Sequence, residues 1–328
     1  MTETAVPMIV GLGEAMIRLT AMHHAPLTQA RDFTANVAGA ELNLLVTASQ
    51  LGVRGRWLTR LPDNELGDMM RQHAQSYGIE VHAVQESGAR AGIFFLEVGS
   101  TPRPSRVLYD RGDSAASHLN VEDFAWSDAV RDASVAHVTG ITCALGPNAL
   151  AASVAFLSAA RDQGVMTSFD VNYRSQLWGV SEARRACRRI LEHTDIAFVA
   201  PSDLSLLTDM SGTVEQMANR LQADYDVSTL VVRERSEVAH DELGVTVRVM
   251  GEVESYAEAS GRVVDQLGAG DAAAGAFLAS VLRGDAHDVA VRHCAHTYAR
   301  TLTLPGDSFS GTWHDLEDGF ATSRRLVR

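Results

Sequence analysis

Apolar and polar positions along the chain follow two periods. Short runs rich in Val, Ile and Leu read as buried strands, and longer stretches with apolar residues three and four apart read as helices. Residues 8–19, MIVGLGEAMIRL, read as one early buried strand. Residues 33–53 begin with alternation and pass through Ala38-Gly39-Ala40 into a helix that Gly52 closes. A strand at 56–62, a helix at 65–79 and a strand from Val81 follow. Residues 90–111 read as two strands joined by a Pro-containing turn, a hairpin that predicts a lid. The second half repeats a strand–helix unit: strands at 134–140, 166–172, 195–202 and 228–234, helices at 148–164, 182–194, 213–225 and 287–302. Short strands are expected at 245–249 and 255–259. This alternation predicts an α/β fold with a mostly parallel sheet and helices on both faces. No linker or repeat interrupts it, so 1–328 reads as a single domain, with a discontinuous β lid from residues near 14–40 and 88–115.

The stretch VVDQLGAGDAAAGAFLASVLR (263–283) reads as strand end, small-residue turn and helix. Gly268, Ala269 and Gly270 leave backbone N–H groups aimed outward at a helix N-terminus, a site for an anion such as phosphate. Asp271 beside such a site is a candidate general base for an attacking hydroxyl. An ordinary helix start, with an acid favoured by the dipole, accounts for the same residues.

Composition narrows the chemistry. The formal net charge of −13 argues against nucleic acid as a partner. No apolar run reaches about 18 residues, which argues against a membrane span, and the first residues lack a secretory pattern. Three scattered cysteines, Cys143, Cys187 and Cys294, fit reduced cytoplasmic thiols. All 28 basic residues are arginine. Schiff-base, pyridoxal-anchoring and P-loop lysines are therefore excluded, and anions must be met by Arg, His, backbone N–H or metal.

Asp170, Asn172 and Arg174 alternate at a strand's C-terminal end, where open α/β sheets place ligand groups. They are candidate substrate ligands, and Arg174 could grip a carboxylate; a strand-to-loop turn rich in Asp and Asn reads the same way. Tyr109 and Arg111 alternate on the second hairpin strand and could share a face. Asn43 is either a ligand or a polar residue on an exposed helix face. Arg184, Arg185, Arg188 and Arg189 read as a solvated helix face, and His23-His24 as a loop pair without further ligands. GLGEAM lacks the third glycine of a dinucleotide fingerprint.

Together these motifs resemble the ribokinase-like (PfkB) carbohydrate kinases, most of all the 2-keto-3-deoxygluconate kinases. GLGEAMIRL, NVAGAELNLLVTASQLG, LPDNELGD, VLYDRGDSAASHL, FDVNYRSQLW, VVDQLGAGD and LTLPGDSF carry the resemblance in order across nearly the whole chain. It implies a three-layer αβα sandwich and transfer of a phosphoryl group from ATP, with Mg²⁺, to a hydroxyl of a sugar acid. Asp271 would be the base, and Gly268, Ala269 and Gly270 the anion hole. Gly39, Asn43, Tyr109, Arg111, Asp170, Asn172 and Arg174 would face the substrate. Ser202, Arg233, Pro305 and Gly306 would lie by the nucleotide. Asp203 would serve the metal, and Asp265 and Asp307 a monovalent cation such as K⁺. Open strand edges on the lid imply a homodimer or larger homo-oligomer. Serines at 202 and 205 stand where the family carries Asn and Glu, which keeps a non-catalytic sugar-acid or nucleotide sensor open as an alternative; a fructokinase or ribokinase type, with the same mechanism and another substrate, is the other.

Overall fold

The computed structural model describes residues 6–99, 102–239, 242–250 and 255–317. Positions 100–101, in the turn of the expected hairpin, and both ends of the expected 1–328 domain lie outside them. The first half runs β1 (Met8–Leu12), β2 (Met16–Ala21), β3 (Phe33–Ala38), α1 (Ala40–Gln50), β4 (Arg54–Pro62), α2 (Glu65–Ser76), β5 (Glu80–Glu86), β6 (Gly92–Glu97) and β7 (Arg106–Asp110). Then come α3 (Trp126–Ala129), β8 (Val135–Thr139), α4 (Gly140–Cys143), α5 (Pro147–Asp162), β9 (Met166–Asp170), α6 (Val180–Leu191), β10 (Ile196–Val199), α7 (Pro201–Thr208) and α8 (Val214–Asp224). The chain continues through β11 (Thr229–Ala239), β12 (Glu242–Met250), β13 (Ser255–Arg262), α9 (Ala269–Arg283), α10 (His287–Leu302) and α11 (Trp313–Glu317).

Among the described residues, nine strands form one sheet in the order β13-β12-β11-β10-β9-β8-β1-β4-β5. From β11 to β5 neighbours run parallel, while β12 is antiparallel to both its partners. Alternation along β1 shows why helices cover both faces. Met8, Val10 and Leu12 pack into one core with Phe156, Phe169 and Leu204, and Ile9 into the other with Leu45, Phe198 and Phe277. A second sheet, β3-β2-β6-β7, is separate from it and is built from the residues expected as the lid. No helix among the described residues is long and apolar enough to cross a membrane.

The apolar run 8–19 does not form one strand. It breaks at Gly13-Glu14-Ala15, so β1 joins the large sheet and β2 the lid. The break is built locally: Gly13 N–H donates to Leu58 O and Trp57 Nε1 donates to Gly13 O. A Cβ at Gly13 would fall 2.1 Å from the Glu41 carboxylate, so any larger residue there would have to displace that buried side chain. The strand expected at 195–202 stops at Val199, and Pro201 opens α7. Proline suits a first helical turn, where its missing N–H would have no intrahelical acceptor. The strand at 228–234 extends to Ala239 and pairs with a longer β12 as a hairpin. Its outer half, Glu234 to Ala239, is exposed and carries no apolar alternation to read.

The arginine run on α6 is not wholly a solvated face. Arg184 Nε donates to Leu206 O at 2.7 Å and Arg188 Nη2 to Leu207 O at 3.0 Å, meeting carbonyls at the end of α7.

Candidate active site

The turn at 268–271 sits where the large sheet's strand ends meet the lid. Gly268 has φ of 75°, and a Cβ there would lie 1.9 Å from Asp307 O, so glycine is required twice over. Gly268 caps α9 with no side chain bonded to the helix end. The Ala272 N–H donates to Gly268 O at 2.8 Å, so those of Ala269, Gly270 and Asp271 head the helix before its first intrahelical bond. Arg233 fixes the turn from one side, donating to Gly270 O and to Asp170 Oδ2, each at 2.6 Å.

Two cavities open on this turn, each lined by Tyr173, Arg174, Leu267, Gly268 and Asp271. The first, about 510 Å³, lies under the lid, where Phe94, Tyr109 and Arg111 face Gly39 and Asn43. The second, about 440 Å³, lies over the ends of β9, β10 and β11, where Ser202, Asp203, Arg235 and Tyr298 gather. Asp271 stands at their junction.

Helix packing brings Asn43 to Asp271. A Cβ at Gly275 would lie 2.5 Å from Leu44 O, so α9 and α1 touch backbone to backbone one turn beyond the acid. Asn43 Nδ2 then donates to Asp271 Oδ2 at 2.9 Å, and Asn172 Nδ2 approaches Oδ1 at 3.4 Å. Asn43 is therefore a buried partner of the acid rather than part of an exposed face. Asn172 reaches its position with φ of 39°, a conformation asparagine tolerates better than most residues. Burial raises the Asp271 carboxyl to about 7; the Asn43 hydrogen bond opposes this, the Asp170 charge adds to it, and Arg174 and Arg233 oppose it. A carboxyl near neutrality, held by neutral amides between two cavities, is suited to take a proton from an alcohol.

Arg174 is exposed, lines both cavities, and forms no ion pair among the described residues. Arg111 lines the lid-side cavity but is bonded to Glu14, which also accepts from Ser114 Oγ at 3.3 Å. Burial raises the Glu14 carboxyl even so, with Arg111 and Ser114 pulling it down. The Arg111 guanidinium stands 5.8 Å from the Tyr109 ring centroid, so the two do share a face. Gly39 begins α1 against Glu14 O, where a Cβ would come within 2.3 Å.

Other expected residues fall elsewhere. Asp170 does not line the lid-side cavity; it pairs with Arg233 and borders the second cavity, its Oδ1 buried without a partner. Asn172 also borders only the second cavity. Asp203 Oδ2 accepts from Ala200 N at 3.0 Å, capping α7, and burial raises its carboxyl to about 6. Pro305 and Gly306 line neither cavity, because Gly306 N–H turns back to Asp265 Oδ2 at 3.2 Å. Asp265 and Asp307, expected to face a monovalent cation, both bind the guanidinium of Arg18. Ser205 Oγ bonds Met210 O at 3.1 Å, at the far end of α7. No cluster of three or more metal-binding side chains occurs among the described residues.

Sequence reasoning missed Glu14, Arg18 and Tyr173. Glu14 and Arg18 were hidden inside a run read as one strand. Tyr173 stood between two residues that were singled out, and its flanking position was the available signal.

A family model described as pfkB family carbohydrate kinase matches residues 6–309. The chain is 34% identical over 299 residues to a 2-dehydro-3-deoxygalactonokinase of Haloferax volcanii, covering 91% of this chain and 92% of that one. It is 33% identical over 283 residues to a 2-dehydro-3-deoxygluconokinase of Thermoproteus tenax, covering 84% and 82%. The crystal structure of a 2-dehydro-3-deoxygluconokinase from Thermotoga maritima superposes with a TM-score of 0.91 at 29% identity, covering 95% of this chain and 98% of that one.

Proposed function

The chain belongs to the pfkB family of carbohydrate kinases, and from that membership and the two-cavity geometry we propose that it phosphorylates a 2-keto-3-deoxy sugar acid with ATP. The observation that carries this reading is Asp271, held by Asn43 at the junction of the cavities and at the head of α9. The sugar acid takes the lid-side cavity, and the nucleotide phosphates the cavity lined by Ser202 and Arg235. The chain works as one domain, with the four-stranded sheet as lid.

In the reaction an acceptor hydroxyl gives its proton to Asp271. Its oxygen bonds to the γ-phosphorus as the bond from that phosphorus to the bridging oxygen breaks, and ADP leaves. The N–H groups of Ala269, Gly270 and Asp271 face the charge that spreads over the transferred group. Asn43 and Asn172 aim the carboxylate without neutralising it. Arg174, without an ion pair among the described residues and bordering both cavities, holds the substrate carboxylate or the moving phosphoryl group. Arg111 is bonded to Glu14 and positions rather than attracts.

The second cavity's donors suit Mg²⁺. Asp170 Oδ1 is a buried oxygen with no partner, Asp203 lines the same wall, and Mg²⁺ favours one or two carboxylates beside phosphate oxygens and water. When bound, the ion neutralises phosphate charge.

The test is ADP release over a panel of aldonic and keto-deoxy acids that includes the gluco and galacto epimers, fructose and ribose. Turnover of a keto-deoxy acid at least tenfold above the neutral sugars is expected. Preference for a neutral sugar would replace the substrate assignment, and ligand-dependent thermal stabilisation without any ADP would mark a sensor instead.

A further inference from the structure

Behind the 268–271 turn lies a buried charge cluster assembled from three distant parts of the chain. Arg18 comes from β2 of the lid, Asp265 from the segment before the turn, and Asp307 from the segment after α10. Arg18 is 2% exposed. Its Nη1 donates to Asp307 Oδ1 at 2.9 Å, its Nη2 to Asp265 Oδ2, and its Nε to Thr20 Oγ1 at 2.8 Å. Both carboxylates are joined to the turn. Asp265 Oδ1 accepts from Leu267 N at 3.1 Å, and the Asp307 carbonyl is the group that a side chain at Gly268 would strike. Asp307 also lines the lid-side cavity.

Two buried carboxylates beside an anion-binding turn would repel both each other and an incoming phosphate. One positive charge between them removes most of that repulsion. A K⁺ ion bridging Asp265 and Asp307 would supply it, but the guanidinium already bonds both acids, so these residues do not fit a dissociable monovalent cation. We propose that Arg18 is a positioning residue that acts as a tethered cation. It supplies the charge behind the anion turn from the lid itself, and it makes phosphoryl transfer indifferent to K⁺. Unlike a free ion, it also joins β2 to both carboxylates, so the turn keeps its shape only while the lid strand is seated. This inference rests on the kinase reading for its rate measurements and not for its stability measurements.

The test begins with the wild-type protein in tetramethylammonium buffer, with Na⁺, K⁺ or neither added. ADP release that varies by less than about twofold is expected, and stimulation of about tenfold by K⁺ overturns the proposal. In Arg18→Ala, kcat should fall by about 10- to 100-fold with a smaller change in sugar-acid KM. Guanidinium or K⁺ at tens of millimolar should restore part of the rate, and Arg18→Lys should keep more of it than the uncharged Arg18→Met. A loss that neither cation repairs, equal in the Lys and Met variants, means a packing role only and overturns the proposal. Melting curves without substrate give the independent readout: guanidinium or K⁺ should raise the midpoint of Arg18→Ala and leave wild type unmoved. Should no sugar acid be phosphorylated, the kinase reading fails while these curves still judge Arg18. Should Arg18→Ala not fold, the wild-type cation series and the Lys–Met comparison decide.

Discussion

The front and the back of one glycine turn carry carboxylates in opposite conditions. At the front Asp271 meets Asn43 and Asn172, neutral donors that orient it and leave its charge costly. At the back Asp265 and Asp307 meet Arg18, which fixes them in place. All three acids are buried or nearly so, and burial raises the Asp307 carboxyl to about 6 even with Arg18 pulling it down; what differs is the partner, neutral amides at the front and a guanidinium at the back. On the kinase reading proposed above, the acid left to neutral amides is the base and the pair tied to a guanidinium is the brace.

The sharpest way to break this contrast is to remove the front acid. Asp271→Asn should lower kcat by about 100-fold or more, measured by ADP release. The same variant tests the cost of holding that charge. With its folded pKa raised to about 7 from 3.8, Asp271 stabilises the fold fully only below the lower value, and that contribution is lost as pH rises toward the higher one. The melting temperature of Asp271→Asn should therefore pull ahead of wild type between those two values and stay a few degrees higher above neutrality. A parallel course of the two melting curves across that range would remove the buried-charge assignment.

Arg174→Ala comes next. Its KM for a sugar acid should rise by about 30-fold, with a much smaller change for an uncharged analogue; equal changes would assign Arg174 to the phosphoryl group. Asn43→Ala should cost about tenfold in kcat. It should also move the acid limb of the rate profile above about 7, because the donor that favours the Asp271 carboxylate is gone. An unmoved limb would mean that the amide only packs. The smallest effect belongs to Arg184→Ala on α6, away from both faces of the turn. It should cost about 1 kcal/mol or less in denaturant unfolding and leave turnover unchanged.

The sequence reading reached the front of the turn and stopped short of the back. Small residues, an acid and a helix in unbroken order are local, so 263–283 disclosed the glycine turn and the helix it opens, with Asp271 in the first turn. The parallel sheet was legible for the same reason, since each strand–helix unit carries its own period. Arg18 was not, because a buried arginine within an apolar run has no local mark; its meaning comes from carboxylates 247 and 289 positions away. Asp170 was singled out, but its pairing with Arg233, 63 positions on, carried no local signal. The break at Gly13 was invisible because the run stays apolar on both sides, and α7 because proline reads equally as strand end or helix start.

Gly275 faces neither cavity, yet the spacing of α1 and α9 passes through it. One methyl group at that position would push two helix backbones apart and carry the Asn43 amide away from the acid it serves. In a survey of random variants this position would stand out as unforgiving as Asp271 itself, with no ligand anywhere near to explain why. The reach of the reaction centre is set there by the radius of a hydrogen atom.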